Sequence, residues 1–492
     1  MFQLSKIIKS RDEWREKAKK RSLELWESRK VHKYYKEQVS KLREENKKLK
    51  EELSNDSQND SLKKNDFLLE KENIRVLLIL LFIEGVISYR STIRVLKIFQ
   101  KQTQIDMEWI PHFTSVINWT QRIGVGLLNK VDKINKDWVA IMDHSIDIGR
   151  KQLFVVLRVE EDIFLQKEGA ITLKDCECVG IKISDKVTGE NLYKELKEIF
   201  QKSGEPKIII KDGGGVLKNG VNLYNERENS NIEVVDDITH IVANALKKQY
   251  EKSKSYEKYM KMLRTGATKL RQTDLSFLIP PKLRKKGRFQ AISKLNNWSK
   301  KMIQKGIFSK RGKAKKGSLL GRLRVSFPKF KLIEPFMKSF EKTTTITNKI
   351  MKILKNRGLN VSTYNQSIEL LTKLPKNSKT RKIIRVWLDK HLKIQQNISP
   401  SPLIISSDII ESLFGKFKYL LERTPQLDMN SATLLVPLLC GNIDKEKISI
   451  ALENADNNSL KLWKDENILY TVRKQRIEFF NSSQKMEIQE AV

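Results

Sequence analysis

Apolar residues recur every second position in one stretch of this chain and every third or fourth position around it, so a β-rich centre is expected between helical flanks. The centre opens with WVAIMDHSIDIGRKQLFVVLRV, residues 138–159, which reads as a β-hairpin: apolar, β-branched runs on either side of a polar Asp147-Ile148-Gly149-Arg150 turn. One carboxylate, Asp143, stands where the first run ends. Taken alone it is explained as well by a turn or cap as by a metal site. A third strand is expected over 176–183, then a helix over 189–201 capped near Thr188 and ended by Ser203-Gly204. A fourth strand, 207–211, runs into Asp212-Gly213-Gly214-Gly215. A helix-poor segment follows, then a short strand at 232–235, and Asp236-Asp237-Ile238-Thr239-His240 leads into another helix.

The flanks are helical. Residues 11–53 contain neither Pro nor Gly and predict one long charged helix. Leu25, His32, Val39, Asn46 and Leu53 share one heptad position, and Ser28, Tyr35, Leu42 and Leu49 the other. A seam Asn fixes register in two-stranded coiled coils, so a parallel dimer is one reading and a helix lying on its own protein is the other. A polar linker, SNDSQNDSLKKND, separates this arm from residues 67–135, which return to apolar helices broken at Gly85 and near Ile105-Asp106. The last of them, PHFTSVINWTQRIG, carries Thr114, Ser115, Asn118, Gln121 and Arg122 on one side, which suits the recognition helix of a helix-turn-helix. A bundle without DNA contacts has the same pattern. From about 245 to 399 the chain is helical and basic, with clusters at Lys282, Arg284, Lys285, Lys286 and Arg288, then at Lys310, Arg311, Lys313, Lys315 and Lys316. Basic side chains of this density contact phosphates, and the interleaved Phe277, Phe289, Trp298 and Phe308 stack on bases or fill the core. Ser406-Ser407-Asp408 then caps the helix IIESLFGKFKYLLER, with Glu411 in its first turn, and the tail beyond about residue 475 is polar.

Charge narrows the partner. The 492 residues carry a formal net charge of +36, which solubility does not require and which implies a polyanion, with nucleic acid favoured. The longest apolar run, residues 76–83, is too short to span a bilayer, and no signal-peptide core is present, so a cytoplasmic, nucleoid-associated location and no membrane contact are expected. Cys176, Cys178 and Cys440 read as packing residues of a reducing compartment.

Right-handed crossover rules place the fourth strand parallel and next to the first, bringing Asp143 beside Asp212. Two such carboxylates repel each other unless a cation lies between them. Asp147, Asp236 and Asp237 compete for the second position, and the open glycine backbone after Asp212 favours it. No Gly-Lys-Ser/Thr follows these glycines, which excludes a nucleotide-binding P-loop. His144 should point to the opposite face of its strand from Asp143.

The order Asp143, Asp212, Glu411 resembles that of the bacterial insertion-sequence Asp-Asp-Glu transposases. Asp237-x-x-His240 looks like their C/D-x-x-H motif, SSDIIESLFGKFK resembles their glutamate helix, and the long helical stretch before it resembles an insertion domain. The resemblance implies an α/β ribonuclease H-like core, a mixed five-stranded sheet with flanking helices, interrupted by an all-α insertion and preceded by a helical arm and a helix-turn-helix. Its divisions would be an arm at 1–55, a linker at 56–66, a DNA-binding region at 67–135, core at 136–245, insertion at 246–400, core and C-terminal helices at 401–475, and a flexible tail at 476–492. Asp143, Asp212 and Glu411 would hold Mg²⁺, or Mn²⁺ in its place, as two ions about 3.5–4 Å apart for an in-line phosphodiester displacement, with His240 at the scissile phosphate or shaping the site. Thr114, Ser115, Asn118 and Arg122 would read terminal inverted repeats, and the basic insertion would grip flanking or target DNA, in a homodimer or larger oligomer. A nuclease or resolvase that cuts without joining, and a catalytically idle DNA-binding protein, remain alternatives.

Overall fold

The structure is a computed structural model describing residues 68–468 apart from 104, 149–150, 168, 185–186, 283–288, 290–291, 305–313, 329, 399 and 424–428, together with scattered positions between 14 and 47 and between 476 and 480. Arg284, Lys285, Lys286, Arg288, Lys310 and Arg311 lie outside the described residues, as does the Gly149-Arg150 turn. Two compact units divide the chain after Leu68. In the first, the described residues between 14 and 47 are helical, and the seam residues Leu25 and Val39 are exposed. The other seam residues lie outside the described ones. No helix among the described residues is long and apolar enough to cross a membrane.

The second unit begins with three helices, α1 (Lys71–Ile83), α2 (Tyr89–Thr103) and α3 (Phe113–Asn129). The hairpin strands β1 (Trp138–Ile148) and β2 (Lys151–Glu160) follow, then β3 (Glu177–Ser184), α4 (Gly189–Ser203), β4 (Ile208–Lys211), α5 (Gly215–Arg227), β5 (Glu233–Asp236) and α6 (Ile238–Tyr250). The five strands form one mixed sheet in the order β3-β2-β1-β4-β5, antiparallel through the hairpin and parallel from β1 to β5. From α6 onward the main elements are helical: α7 (Lys254–Leu270), α8 (Ile292–Gln304), α9 (Leu319–Ser326), α10 (Phe330–Arg357), α11 (Val361–Thr372), α12 (Lys379–Ile398), α13 (Asp408–Arg423), α14 (Lys445–Glu453) and α15 (Asn457–Asn467).

The period of two along β1 sorts its side chains between two cores. Trp138, Ala140 and Met142 join Phe154, Val156 and Ile209 in a smaller core with α4 and α5. Val139 and Ile141 join Val155, Ile210 and Val235 in a larger one that reaches α1 to α3, α6 and α13. Continuing that alternation puts Asp143 on the α6 and α13 face. His144 is on the other, stacked on Phe154 with ring centroids 4.6 Å apart, and burial pushes its pKa down to about 4.

Three expectations need correction. Asp143 does not end its strand: β1 continues to Ile148, with a register irregularity just after His144. What ends there is the parallel neighbour, since β4 stops at Lys211 and pairs with β1 only from Val139 to Ile141. The stretch after the glycines is not helix-poor, because α5 occupies it. Leu217, Val221 and Tyr224, spaced four and three apart, bury one helical face, and Gly220 lets Leu192 of α4 approach where a Cβ would come within 2.4 Å of its Cδ2. The third correction concerns α3. Within the expected DNA-binding region 67–135, helices α1 to α3 contribute to the larger core. The polar side of α3 faces the protein's own C-terminal helices: Asn118 Nδ2 donates to Asn457 Oδ1 at 3.0 Å, and Arg122 donates to the carbonyls of Ala455 and Leu452 at 2.9 and 3.1 Å. Gln121 accepts from Lys464 at 2.7 Å. Asn118 and Arg122 are thus committed within the chain, whereas Thr114 remains exposed at the start of α3 and Ser115 half-buried beside it. Arg122→Ala should cost about 1–3 kcal/mol, because two carbonyls lose a charged donor, and leave the salt dependence of DNA binding unchanged. Urea unfolding and fluorescence anisotropy measure the two, and a flattened salt slope would restore Arg122 to the DNA interface.

Candidate active site

Extending the β1–β4 register by two residues from Ile141↔Ile210 sets Asp143 opposite Asp212, at the end of the parallel ladder. Asp143 is largely buried, and its Oδ1 accepts from the backbone N of His144 at 2.7 Å. Burial pushes its carboxyl up to about 7, and the charges of Asp212 and, more weakly, Glu411 push the same way; that backbone bond and His240 oppose them. Asp212 Oδ1 accepts from Gly214 N at 2.8 Å, an Asx turn that hands the chain to α5. A Cβ at Gly214 would lie 2.7 Å from that oxygen and push against the carboxylate that makes the turn, while Gly213 and Gly215 face open space.

Beneath Asp212 the side chain of Lys211 is almost wholly buried, with Nζ 2.9 Å from Asp236 Oδ1 and 3.2 Å from the carbonyl of Asp212. Burial raises the Asp236 carboxyl, but Lys211 outweighs it and holds the group below the usual carboxylate range. Asp236 is therefore spent on the ion pair.

Asp237 caps α6. Its Oδ1 accepts from Thr239 N at 3.0 Å, and His240 Nδ1 donates to its Oδ2 at 2.8 Å. The Asp237 bond raises His240 to about 9 against the opposing effect of burial, with Asp212 and Glu411 contributing further, so the ring is an imidazolium at neutral pH. Because Nδ1 is engaged by Asp237, the free donor of the ring is Nε2–H.

Glu411 stands in the first turn of α13, which packs on β1. Burial and the neighbouring Asp408 raise its carboxyl, and His240 opposes them. The segment before α13 joins the start of α6, where Ile238 N donates to the carbonyl of Ile405 at 3.1 Å. Asp408 completes the attachment: its Oδ1 accepts from Thr239 Oγ1 at 2.8 Å, and its Oδ2 pairs with Lys355 near the end of α10. Asp143 on β1, Asp212 in the turn after β4, His240 on α6 and Glu411 on α13 thus form one electrostatically coupled group.

Several supporting residues carry no sequence signal. Lys355 is one basic residue among many, and its pairing with Asp408 depends on a fold that joins α10 to α13. Trp387 and His391 of α12 are others. Trp387 Nε1 donates to the carbonyl of Asp236 at 2.9 Å, and Asp236 N donates to His391 Nε2 at 3.3 Å while His391 Nδ1 donates to the carbonyl of Trp387 at 2.7 Å. The two rings stack 4.3 Å apart. Burial pushes His391 down to about 4, so it remains neutral and clamps the end of β5 just before Asp237.

The donor set is that of a hard divalent cation, carboxylate oxygens with room for water and substrate oxygens. Burial is the main cause that raises Asp143, and the repulsion from Asp212 and Glu411 that adds to it is what such a cation would relieve. Among the described residues no three His, Cys, Asp or Glu side chains already stand close enough to enclose an ion. Mg²⁺ commonly binds through one or two carboxylates plus water and substrate phosphates, and this set fits that mode better than a closed cage.

No family model matches this sequence, and no curated protein matches it. Among solved structures the chain is similar to the Drosophila P element transposase strand transfer complex, at 13% sequence identity and a TM-score of 0.40, over 84% of this chain and 100% of that one.

Proposed function

We propose that this chain is a DNA transposase with a ribonuclease H-like catalytic core, in which Asp143, Asp212 and Glu411 hold Mg²⁺, or Mn²⁺ in its place. The observation that carries the reading is Asp143 itself: a largely buried carboxylate, raised to about 7 by burial and by Asp212 and Glu411, at the point where the parallel ladder ends. Two divalent ions bound there would activate the attacking oxygen and stabilise the leaving one. The protein supplies the remaining electrostatics. His240, charged at neutral pH and fixed by Asp237, offers Nε2–H to a non-bridging oxygen of the scissile phosphate. The Asx turn at Asp212 and the bare glycines beside it let a DNA strand come close to the strand ends. The net charge of +36 supplies sequence-independent affinity for terminal repeats and target DNA, and Lys282, exposed at the start of the first basic cluster, belongs to that surface. A homodimer or larger assembly would bring two transposon ends together.

The test is Mg²⁺-dependent cleavage of a duplex carrying the element's ends, followed by strand transfer from pre-cleaved ends. Wild type should perform both reactions, and Asp212→Asn and Glu411→Gln neither. Cleavage without joining would reassign the protein as a nuclease or resolvase. Cleavage retained by either variant would remove the metal-site reading.

A further inference from the structure

The face of α6 that carries His240 continues as a groove lined with lysines. Residues 240, 244, 247 and 251 follow one another at steps of four, three and four, so His240, Asn244, Lys247 and Glu251 form one stripe. Helix α12 lies alongside with opposite polarity. At its N-terminus Ser378 Oγ and Thr380 N both donate to Gln249 Oε1 at 2.8 Å, near the far end of α6, whereas Trp387 and His391 further along reach Asp236 just before α6 begins. An open groove runs between the two helices, lined by Lys247, Lys248 and Lys252 from α6 and its C-terminal extension and by Lys379 and Lys382 from α12. All five lysines are exposed. The carboxylate on the groove is Glu251, 3.9 Å from Lys247, so four positive charges remain in excess. Like charges gathered on one groove repel unless an anion lies among them.

We propose that this groove is a track for the phosphodiester backbone of DNA leaving the acidic site, an assignment that rests on the transposase reading above. The spacing suits that path. Seven residues of helix separate His240 from Lys247, about 10 Å at 1.5 Å per residue. One strand of duplex DNA advances about 3.4 Å along its axis per phosphate, so Lys247 stands about three nucleotides from a phosphate at His240. Lysine suits the task, since a compact, mobile ammonium neutralises phosphates without regard to base sequence. Among the described residues the groove has no aromatic lining on which an unpaired base would stack, which favours a duplex over a single strand.

The measurement is the salt dependence of affinity, by fluorescence anisotropy of full-length protein with a mixed-sequence duplex in chelator, so that cleavage does not intervene. Lys247→Gln, Lys248→Gln and Lys382→Gln combined should flatten the slope of log K against log salt by about 0.9 per lysine, about 2.7 in all. Lys194→Gln with Lys202→Gln, on α4 behind the opposite face of the sheet, should leave the slope at its wild-type value. An unchanged slope in the groove variant overturns the assignment, and so does an equal flattening in the α4 variant. Inorganic triphosphate titrated in place of the duplex separates small phosphate ligands: triphosphate binding lost in the groove variant with the duplex slope intact also overturns it. Should the triple variant unfold, single Lys247→Gln and Lys382→Gln variants each read a change of about 0.9. The slope is measured without catalysis, so an inactive wild type would sink the transposase reading while leaving the groove assignment to stand or fall on the slope alone.

Discussion

Asp143→Asn is expected to abolish Mg²⁺-dependent strand cleavage, by at least about 10³-fold, while leaving duplex binding within about twofold of wild type and making the metal-free protein more stable. The stability gain follows from the direction of the pKa shift. Burial, with Asp212 and Glu411, holds the folded-state pKa near 7, well above the unfolded value. The folded protein therefore binds more protons than the unfolded chain between those two values. The stability associated with the protonated carboxyl is fully present below about pH 4 and is lost as pH rises through about 7. Asparagine keeps the shape and loses no proton. The difference between variant and wild type should grow across that window to about 1–3 kcal/mol in chelator at pH 7.5, with added Mg²⁺ stabilising wild type and not the variant. Thermal melts at several pH values, with and without Mg²⁺, read this directly. Equal melting of the two proteins at pH 7.5 in chelator would mean that Asp143 is not under the burial and repulsion described.

The largest purely structural effect is expected at Gly126 on α3. A Cβ there would come within 1.9 Å of the carbonyl oxygen of Ala451 on α14, and one at Gly124, two residues earlier, within 2.1 Å of the carbonyl of Leu434. Both collisions are with backbone, which cannot swing aside as a flexible side chain would. Gly126→Val should thus force α3 and α14 apart and cost about 3 kcal/mol or more, measured as the shift in urea midpoint at constant m-value. A loss below about 1 kcal/mol would show that the α3–α14 contact is not close-packed. The same variant tests the role of α3: as scaffold, its failure is one of folding, with DNA affinity preserved in whatever fraction remains folded.

What the sequence disclosed was local or followed from chain geometry. The strands appear because Val, Ile and Leu alternate or run together in short segments, and Asp143 meets Asp212 because a crossover through α4 leaves β4 beside β1. Glu411 had only a helix-dipole explanation of its own in a first turn, and it joined the set through the resemblance of its segment to a glutamate helix. Helix α5 was hidden by its Gly and Asn content, which lowers helix propensity, while burial of Leu217, Val221 and Tyr224 against α4 overrides it. The polar face of α3 misled for another reason. A row of Asn, Gln and Arg reads identically whether it meets base edges or backbone carbonyls more than 300 residues away, and only the packing of α14 and α15 distinguishes them. Trp387, His391 and Lys355 support the site from helices with no chemical motif of their own.

The helix that Asp408 ties to Thr239 and Lys355 also carries the last of the three acids to be synthesised. From Asp212 to Glu411 is 411 − 212 = 199 residues. At about 5–20 residues per second, translation of that interval takes about 10–40 s. A nascent chain holding β1 and β4 therefore waits, with its first two acids already made, for the helix that brings the third. Termination between the end of α12 and the start of α13 yields a polypeptide that carries every groove lysine but not Glu411. On the proposed reading such fragments would occupy DNA without the third acid, and would act as inhibitors of the finished protein.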